Sequence, residues 1–221
     1  MIFFIHMPKT GGSSIREMIK EGYPDRFVDC YNRDLRDIVS DIEAIGNNAI
    51  CYGHMAYGIH NYLPRYDVKY YCILRDPVDR VLSDFIYVRD TTPGHPTHDK
   101  LQGYSLADAI IEDRYAQLKN CYMRFLLDKG EFSNKDYYTA IGILNNFSFI
   151  GNFSRYEETV EMLRQLGVLP MGIELKHEKK QVKEYKMEDR DMGVLLATNQ
   201  YDIGLWKYYL ENLEGKHMLM K

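Results

Sequence analysis

The 221-residue chain has no apolar run approaching the ~20 residues that a membrane-spanning helix requires. Its opening, Met1 to Ile5, is apolar but too short for a signal-peptide core, and no basic stretch leads into it. There is no basic excess: 28 Lys and Arg stand against 32 Asp and Glu, a formal net charge of −4. That balance argues against general binding to a nucleic-acid backbone and leaves only local basic pockets open. Cysteine is sparse. Cys30, Cys51, Cys72 and Cys121 are widely spread and form no C-x-x-C pair. Cys51 and Cys72 lie in apolar runs and read as buried thiols. A reducing, cytoplasmic setting is therefore expected, with one disulfide and an anchor ahead of residue 1 as open alternatives. No internal repeat and no low-complexity linker divides the chain, so residues 1–221 read as a single domain.

What is present is an alternation of apolar runs and helical periodicities. Ile2 to His6 reads as a buried strand, and Ser13 to Glu21 as a helix. Asp34 to Ile45 is helical, with Leu35, Ile38, Val39 and Ile42 on one stripe. Ala49 to Tyr52 and Lys69 to Leu74 are strands. Pro77 opens a helix in which Val78, Val81, Leu82, Phe85 and Ile86 face the core, leaving Arg80, Ser83 and Asp84 on the other side. Thr91 to Gly103, with two prolines and two glycines, reads as a long loop and a candidate lid. Helices are expected over about 105–113, 115–128 and 134–145. Phe147 to Ile150 reads as a strand, followed by helices over Arg155 to Leu166 and Tyr201 to Leu213. Strands alternating with helices predict an α/β fold with a parallel sheet and a helical middle segment beside it.

The most informative segment is Pro8-Lys9-Thr10-Gly11-Gly12-Ser13-Ser14, between the first strand and the first helix. Backbone N–H groups converge at such a turn, and the helix N-terminus adds partial positive charge. Gly11 and Gly12 allow close backbone approach, Ser13 and Ser14 offer hydroxyls, and Lys9 adds a point charge. The loop is not a Walker A motif, because its lysine precedes the glycines. Asp76 is the nearest candidate for holding Mg²⁺, and its place before Pro77 suits helix capping equally well. A second segment, Arg75-Asp76-Pro77 through Ser83, follows a strand end, where ligands bind in open α/β sheets. By itself it reads equally as a phosphate cradle or as an ordinary helix start.

Together these residues resemble a family. His6 to Ser14 is similar to the 5′-phosphosulfate loop of sulfotransferases that use 3′-phosphoadenosine 5′-phosphosulfate, nearest the heparan and dermatan sulfate 2-O-sulfotransferase-like branch and its bacterial relatives. Arg75 and Ser83 fall on the positions of that family's 3′-phosphate element. Weaker likenesses lie at Asn120 to Leu126, Phe149 to Thr159 and Asn199 to Trp206. The resemblance implies a P-loop-like fold and a metal-independent transfer. Lys9 would contact the bridging oxygen, Thr10, Gly11, Gly12, Ser13 and Ser14 would hold the 5′-phosphate, and Arg75 and Ser83 the 3′-phosphate.

The chemistry needs a base for the acceptor hydroxyl, and histidine is the usual choice. His54 follows a strand in Tyr52-Gly53-His54 and matches the branch's base; Tyr52 stands where that branch can carry another histidine. His60 is the alternative base. His95 and His98 form an H-x-x-H without a third ligand signal, so no metal is expected there. Lys176 to Lys180, including His177, is either a solvated loop or a flap over the nucleotide. Of the 19 tyrosines, Tyr57, Tyr62, Tyr66 and Tyr87 are candidates for stacking on a sugar, although most tyrosines are expected to finish the core. The expectation is thus a sulfotransferase acting on the hydroxyl of a glycan, glycolipid or small metabolite, with no nucleic-acid partner and no membrane span. The alternatives are a P-loop kinase and a non-catalytic nucleotide- or glycan-binding module. The acceptor and the oligomeric state are not readable from the residues.

Overall fold

The computed structural model describes residues 1–174 and 185–215. Five strands form one sheet: β1 (Ile2–Ile5), β2 (Phe27–Asp29), β3 (Ile50–Gly53), β4 (Lys69–Leu74) and β5 (Phe149–Asn152). Their order is β2-β3-β1-β4-β5, and every pairing is parallel. The expected α/β architecture is therefore present. A parallel sheet buries both faces, and the side chains divide between them with period two. Phe3, Ile5, Cys51, Tyr70, Cys72 and Leu74 belong to one apolar cluster, while Phe4, Ile50, Tyr52, Tyr71 and Ile73 belong to another.

Helices cover both faces. α1 (Gly12–Gly22) supplies Ile15, Met18 and Ile19 to the second cluster, and α8 (Tyr156–Gln165) supplies Val160, Met162 and Leu163. On the first face lie α2 (Leu35–Ile45), α6 (Cys121–Leu127), α7 (Asn134–Asn145) and α10 (Gln200–Asn212). A third cluster joins α3 (Pro77–Ile86), α5 (Leu106–Ile111) and α9 (Asp189–Thr198). All four cysteines are free and buried. No helix among the described residues is long and apolar enough to cross a membrane.

The helical middle segment changes two expectations. Arg80 and Asp84 do not face solvent: they are 0% and 2% exposed. The single-helix pattern assumed one open side, but residues 116–118, α9 and α10 pack against α3 and close that side. The two buried charges compensate each other. Arg80 Nη1 donates to Asp84 Oδ2 at 3.3 Å, and Nη2 donates to the Gln117 carbonyl at 2.7 Å. Burial raises the Asp84 pKa against the opposing pull of Arg80, Lys9 and His95. The expected lid over 91–103 is also not a free loop. Tyr87–Thr91 forms a π-helical turn, α4 (His98–Leu101) follows, and Leu101 is fully buried. Gln102 Nε2 donates to the Arg89 carbonyl at 2.6 Å and ties the segment down.

Another buried carboxylate fixes the helical segment to the sheet side. Asp202 on α10 is fully buried and accepts from Tyr122 N at 2.8 Å and Met123 N at 3.1 Å, which satisfies the first turn of α6. Burial raises its pKa to about 6, despite the opposing pull of Arg80 and of those two N–H groups. An unfolded aspartate ionises near ~3.9. Between those values the native state retains a proton that the unfolded chain has released, so stability falls as pH rises from about 4 to about 6. Asn cannot titrate. The difference in urea unfolding free energy between wild type and Asp202→Asn should therefore shrink across that window, by up to roughly 3 kcal/mol. A constant difference would show that Asp202 ionises at its ordinary value.

Candidate functional site

In this strand order, the connection after β1 runs toward β2 and the connection after β4 runs toward β5. The two adjacent strands therefore diverge at their carboxyl ends, which is where open α/β sheets bind ligands. The loop after β1 carries Lys9 to Ser14, and the residue after β4 is Arg75. The structure brings these two elements together: Arg75 Nη1 donates to the Lys9 carbonyl at 3.3 Å.

The loop is held by three hydroxyls. Thr10 Oγ1 donates to the Met7 carbonyl at 2.7 Å, Tyr52 Oη to the Gly12 carbonyl at 2.8 Å, and Tyr156 Oη to the Gly11 carbonyl at 2.7 Å. Tyr156 also engages the Ser14 side chain, and burial pushes its pKa up to about 12, so the phenol stays protonated. The hydroxyl of Thr10, a residue expected at the 5′-phosphate, is buried and shapes the turn. Gly11 adopts φ 79° and caps α1. Gly11, the N-cap of α1, has no side chain with which to cap the helix. Ser13 is exposed on that first turn. Lys9 also has a positive φ, 65°, and its Nζ lies 3.5 Å from the centre of the Tyr87 ring.

α3 differs. Asp76 accepts from Val78 N at 2.9 Å and Asp79 N at 3.2 Å, so this helix start carries its own anion. Arg75, just before it, has its guanidinium 4.7 Å from the Phe153 ring centre. Burial lowers its pKa, and no carboxylate pairs with it among the described residues. Ser83 is half-buried on α3, beside Asp84.

The histidines separate by their hydrogen bonds. His54 Nδ1 lies 2.9 Å from the His6 carbonyl. A carbonyl only accepts, so Nδ1 carries the proton and Nε2 of the neutral ring keeps its lone pair. The residue is exposed, yet its ring stacks on His6 at 4.8 Å and meets Tyr31 edge-on at 4.7 Å. That crowding withdraws solvent and lowers its pKa, with the His6 carbonyl opposing the shift. His60 is held by a side chain instead. Tyr70 Oη accepts from His60 N at 3.2 Å and lies 2.7 Å from His60 Nδ1, a hydroxyl partner that can donate or accept. Tyr70 is four residues before the end of β4, about 13 Å along the strand from the carboxyl edge. The site thus gathers Lys9 to Ser14, Arg75 and His54, while His60 is tethered well back along β4.

His6 is buried, contacts the Tyr31 hydroxyl through Nδ1, and has its pKa lowered mainly by burial, then by His54 and Lys9. His95 Nδ1 accepts from Thr97 N at 3.1 Å, and His98 Nδ1 bonds the Val88 carbonyl at 2.9 Å, so each ring serves its own loop. Of the four tyrosines proposed for sugar stacking, only Tyr87 reaches the loop. Tyr57 and Tyr66 pack on the first core cluster, and Tyr62 is 63% exposed. Tyr31 and Tyr156 were not expected at the site, and Tyr52, noted beside His54, was not expected to bond the loop. Lys176 to Lys180 lies outside the described residues. No family model matches the chain, and no curated protein matches its sequence.

The loop geometry has a direct mutational consequence. A Cβ on Gly12 would lie 1.9 Å from His6 Nε2 and 2.4 Å from Tyr52 Oη, both on rings locked in the core. Gly12→Ala should destabilise the protein by about 1–3 kcal/mol, read as a lower urea midpoint. Gly193→Ala on α9 is the control: like Gly12 it is helical without a positive φ, but a Cβ there meets nothing within 4 Å, so it adds no clash. A Gly12→Ala variant no less stable than Gly193→Ala would show that the loop does not press on His6 and Tyr52.

Proposed function

We propose that the protein is a sulfotransferase, moving a sulfuryl group from 3′-phosphoadenosine 5′-phosphosulfate to an acceptor hydroxyl. The observation that carries the reading is the hydrogen bond between His54 Nδ1 and the His6 carbonyl. It attaches a ring nitrogen able to take a proton to the strand end that opens an anion loop. The residues fit a bisphosphorylated nucleotide. The α1 N-terminus opens on Gly11, which supplies no capping side chain, and Arg75 is a desolvated cation without a carboxylate among the described residues. The donor supplies a sulfuryl group already activated on a phosphate leaving group. Lys9 and the N–H groups at the start of α1 would stabilise negative charge on that leaving oxygen. Arg75 and Ser83 would hold the 3′-phosphate, Arg75 by charge-assisted bonds. His54 Nε2 would receive the acceptor proton, and its lowered pKa keeps it neutral and ready for that role.

Two experiments test this reading. Adenosine 3′,5′-bisphosphate should raise the melting temperature without Mg²⁺, and ADP should do much less, since only a ligand selective for the folded state stabilises it. Arg75→Ala should weaken that binding by roughly 2–4 kcal/mol. Greater stabilisation by ATP with Mg²⁺ would replace this reading with a kinase.

His54→Ala should leave bisphosphate affinity intact and slow sulfuryl transfer, or slow hydrolysis of the donor where no acceptor is supplied, by about 10²–10⁴-fold. His60→Ala should cost far less. Because the neutral ring is the active form and its pKa is lowered, the wild-type rate should hold as pH falls below the ordinary histidine value near ~6.5, then drop. A rate unchanged in His54→Ala would remove His54 as the base.

A further inference from the structure

A cleft of about 550 Å³ opens beside His54, where the chain leaves β2 and β3. That volume lies within the ~300–1,000 Å³ of small-molecule sites. Its wall includes Asn32, Arg33, Asp34, Asp37, His54 and Met55. The cleft sits at the carboxyl edge of the sheet, and the His54–His6 bond joins it to the end of β1. It therefore lies on the acceptor side of the transfer described above, and the inference rests on that reading.

The lining specifies the acceptor's chemistry. It sets two carboxylates and one amide beside the apolar Cys30, Leu35, Ile38 and Met55, and has no Phe, Tyr or Trp platform of its own. Such polar groups take hydrogen bonds from a polyol rather than pack a flat phenol. Its charge is one-sided. Arg33 is the one arginine or lysine in the wall, and it is engaged: Nη1 pairs with Asp41 at 2.8 Å and donates to the Asp29 carbonyl at 3.1 Å, and Arg33 also feels Asp37. Asp34 and Asp37 are exposed and form no ion pair among the described residues. Asp34 stands at the start of α2 without bonding the helix through its side chain, so its oxygens are not spent on a cap. His54 is held neutral by its surroundings. Two carboxylates thus face the cleft, and the only full cation there is already neutralised.

We infer that this cleft takes a polyhydroxylated acceptor bearing a protonated amine, an amino sugar, and disfavours uronate or sulfated sugars. The ammonium would make charge-assisted bonds to Asp34 and Asp37, while an acidic sugar would meet like charge in the same place.

The test measures binding to the full chain by calorimetry at low salt, without nucleotide. The probes are the β-1,4 disaccharide of glucosamine, its neutral counterpart cellobiose, and the corresponding diuronic acid disaccharide. The amino disaccharide should bind about tenfold more tightly than cellobiose, with the acidic one weakest. The preference should narrow as salt rises. Asp34→Asn combined with Asp37→Asn should equalise the amino and neutral disaccharides. Both side chains are exposed, form no ion pair among the described residues, and Asp34 spends no oxygen on a cap, so the melting temperature should hold. The proposal is overturned if the acidic disaccharide binds as well as the amino one, if the double variant keeps the preference, or if none of the three binds at millimolar concentration. Adenosine 3′,5′-bisphosphate binding is read separately. Its absence with the saccharide preference intact sinks the sulfotransferase reading alone, and the reverse result sinks the cleft alone.

Discussion

Two missing Cβ atoms govern the carboxyl edge of this sheet. Gly11 turns the chain at a positive φ against the Tyr156 ring, and Gly12 passes within side-chain contact of His6 and Tyr52. Only that close approach lets the Tyr52 and Tyr156 hydroxyls reach the loop carbonyls, which turns those acceptors toward the core. With its carbonyls tied back in this way, the turn presents N–H groups and Lys9 at the start of α1. The same approach places the His6 ring where His54 stacks on it. The glycine loop and the histidine beside it are therefore one packed unit, and a side chain at either glycine disturbs both.

Behind this unit the protein buries charge, at a cost that an apolar core would not carry. Arg80 and Asp84 are sealed under the helical segment, and Arg80 Nε has no hydrogen-bond partner among the described residues. A buried ion pair is a poor source of net stability. Its location is informative, because Asp84 lies within the electrostatic reach of Lys9 as well as of Arg80. The α3 helix thus presents fixed charge toward the loop from within the core. Net charge of the chain, at −4, says nothing about this local field.

The sequence carried the sheet well and the packing between helices poorly. β1, β3, β4 and β5 are apolar runs ending at turn residues, and a parallel strand buried on both faces leaves that mark. β2 escaped notice because it is three residues long, Phe-Val-Asp, after the polar Pro24-Asp25-Arg26. α9 was missed because its core contribution is slight: only Asp191 and Leu195 are buried, one of them charged. Arg80 and Asp84 were misread for a related reason. Periodicity within one helix shows which face is most apolar, but a second covering layer is made by residues distant in sequence. The turn was legible because close approach of the backbone to neighbouring rings restricts residue type at Gly11 and Gly12. The tyrosines behind it, Tyr52 and Tyr156 on its carbonyls and Tyr31 on His6, were not, since a tyrosine supporting a loop and one finishing a core look alike in sequence.

The histidines show how far structure extends such a reading. Residue type and distance to a strand end made His54 and His60 comparable candidates. Hydrogen-bond partner and position separate them. A backbone carbonyl can only accept, so it forces the proton onto His54 Nδ1 and frees Nε2. The Tyr70 hydroxyl can donate or accept, so it tethers His60 without selecting its tautomer, about 13 Å back from the carboxyl edge. His54 offers a lone pair toward solvent at that edge. Proton removal from an incoming hydroxyl needs that arrangement. That difference arises from which backbone or side-chain group each ring meets, which no local spacing in the sequence encodes.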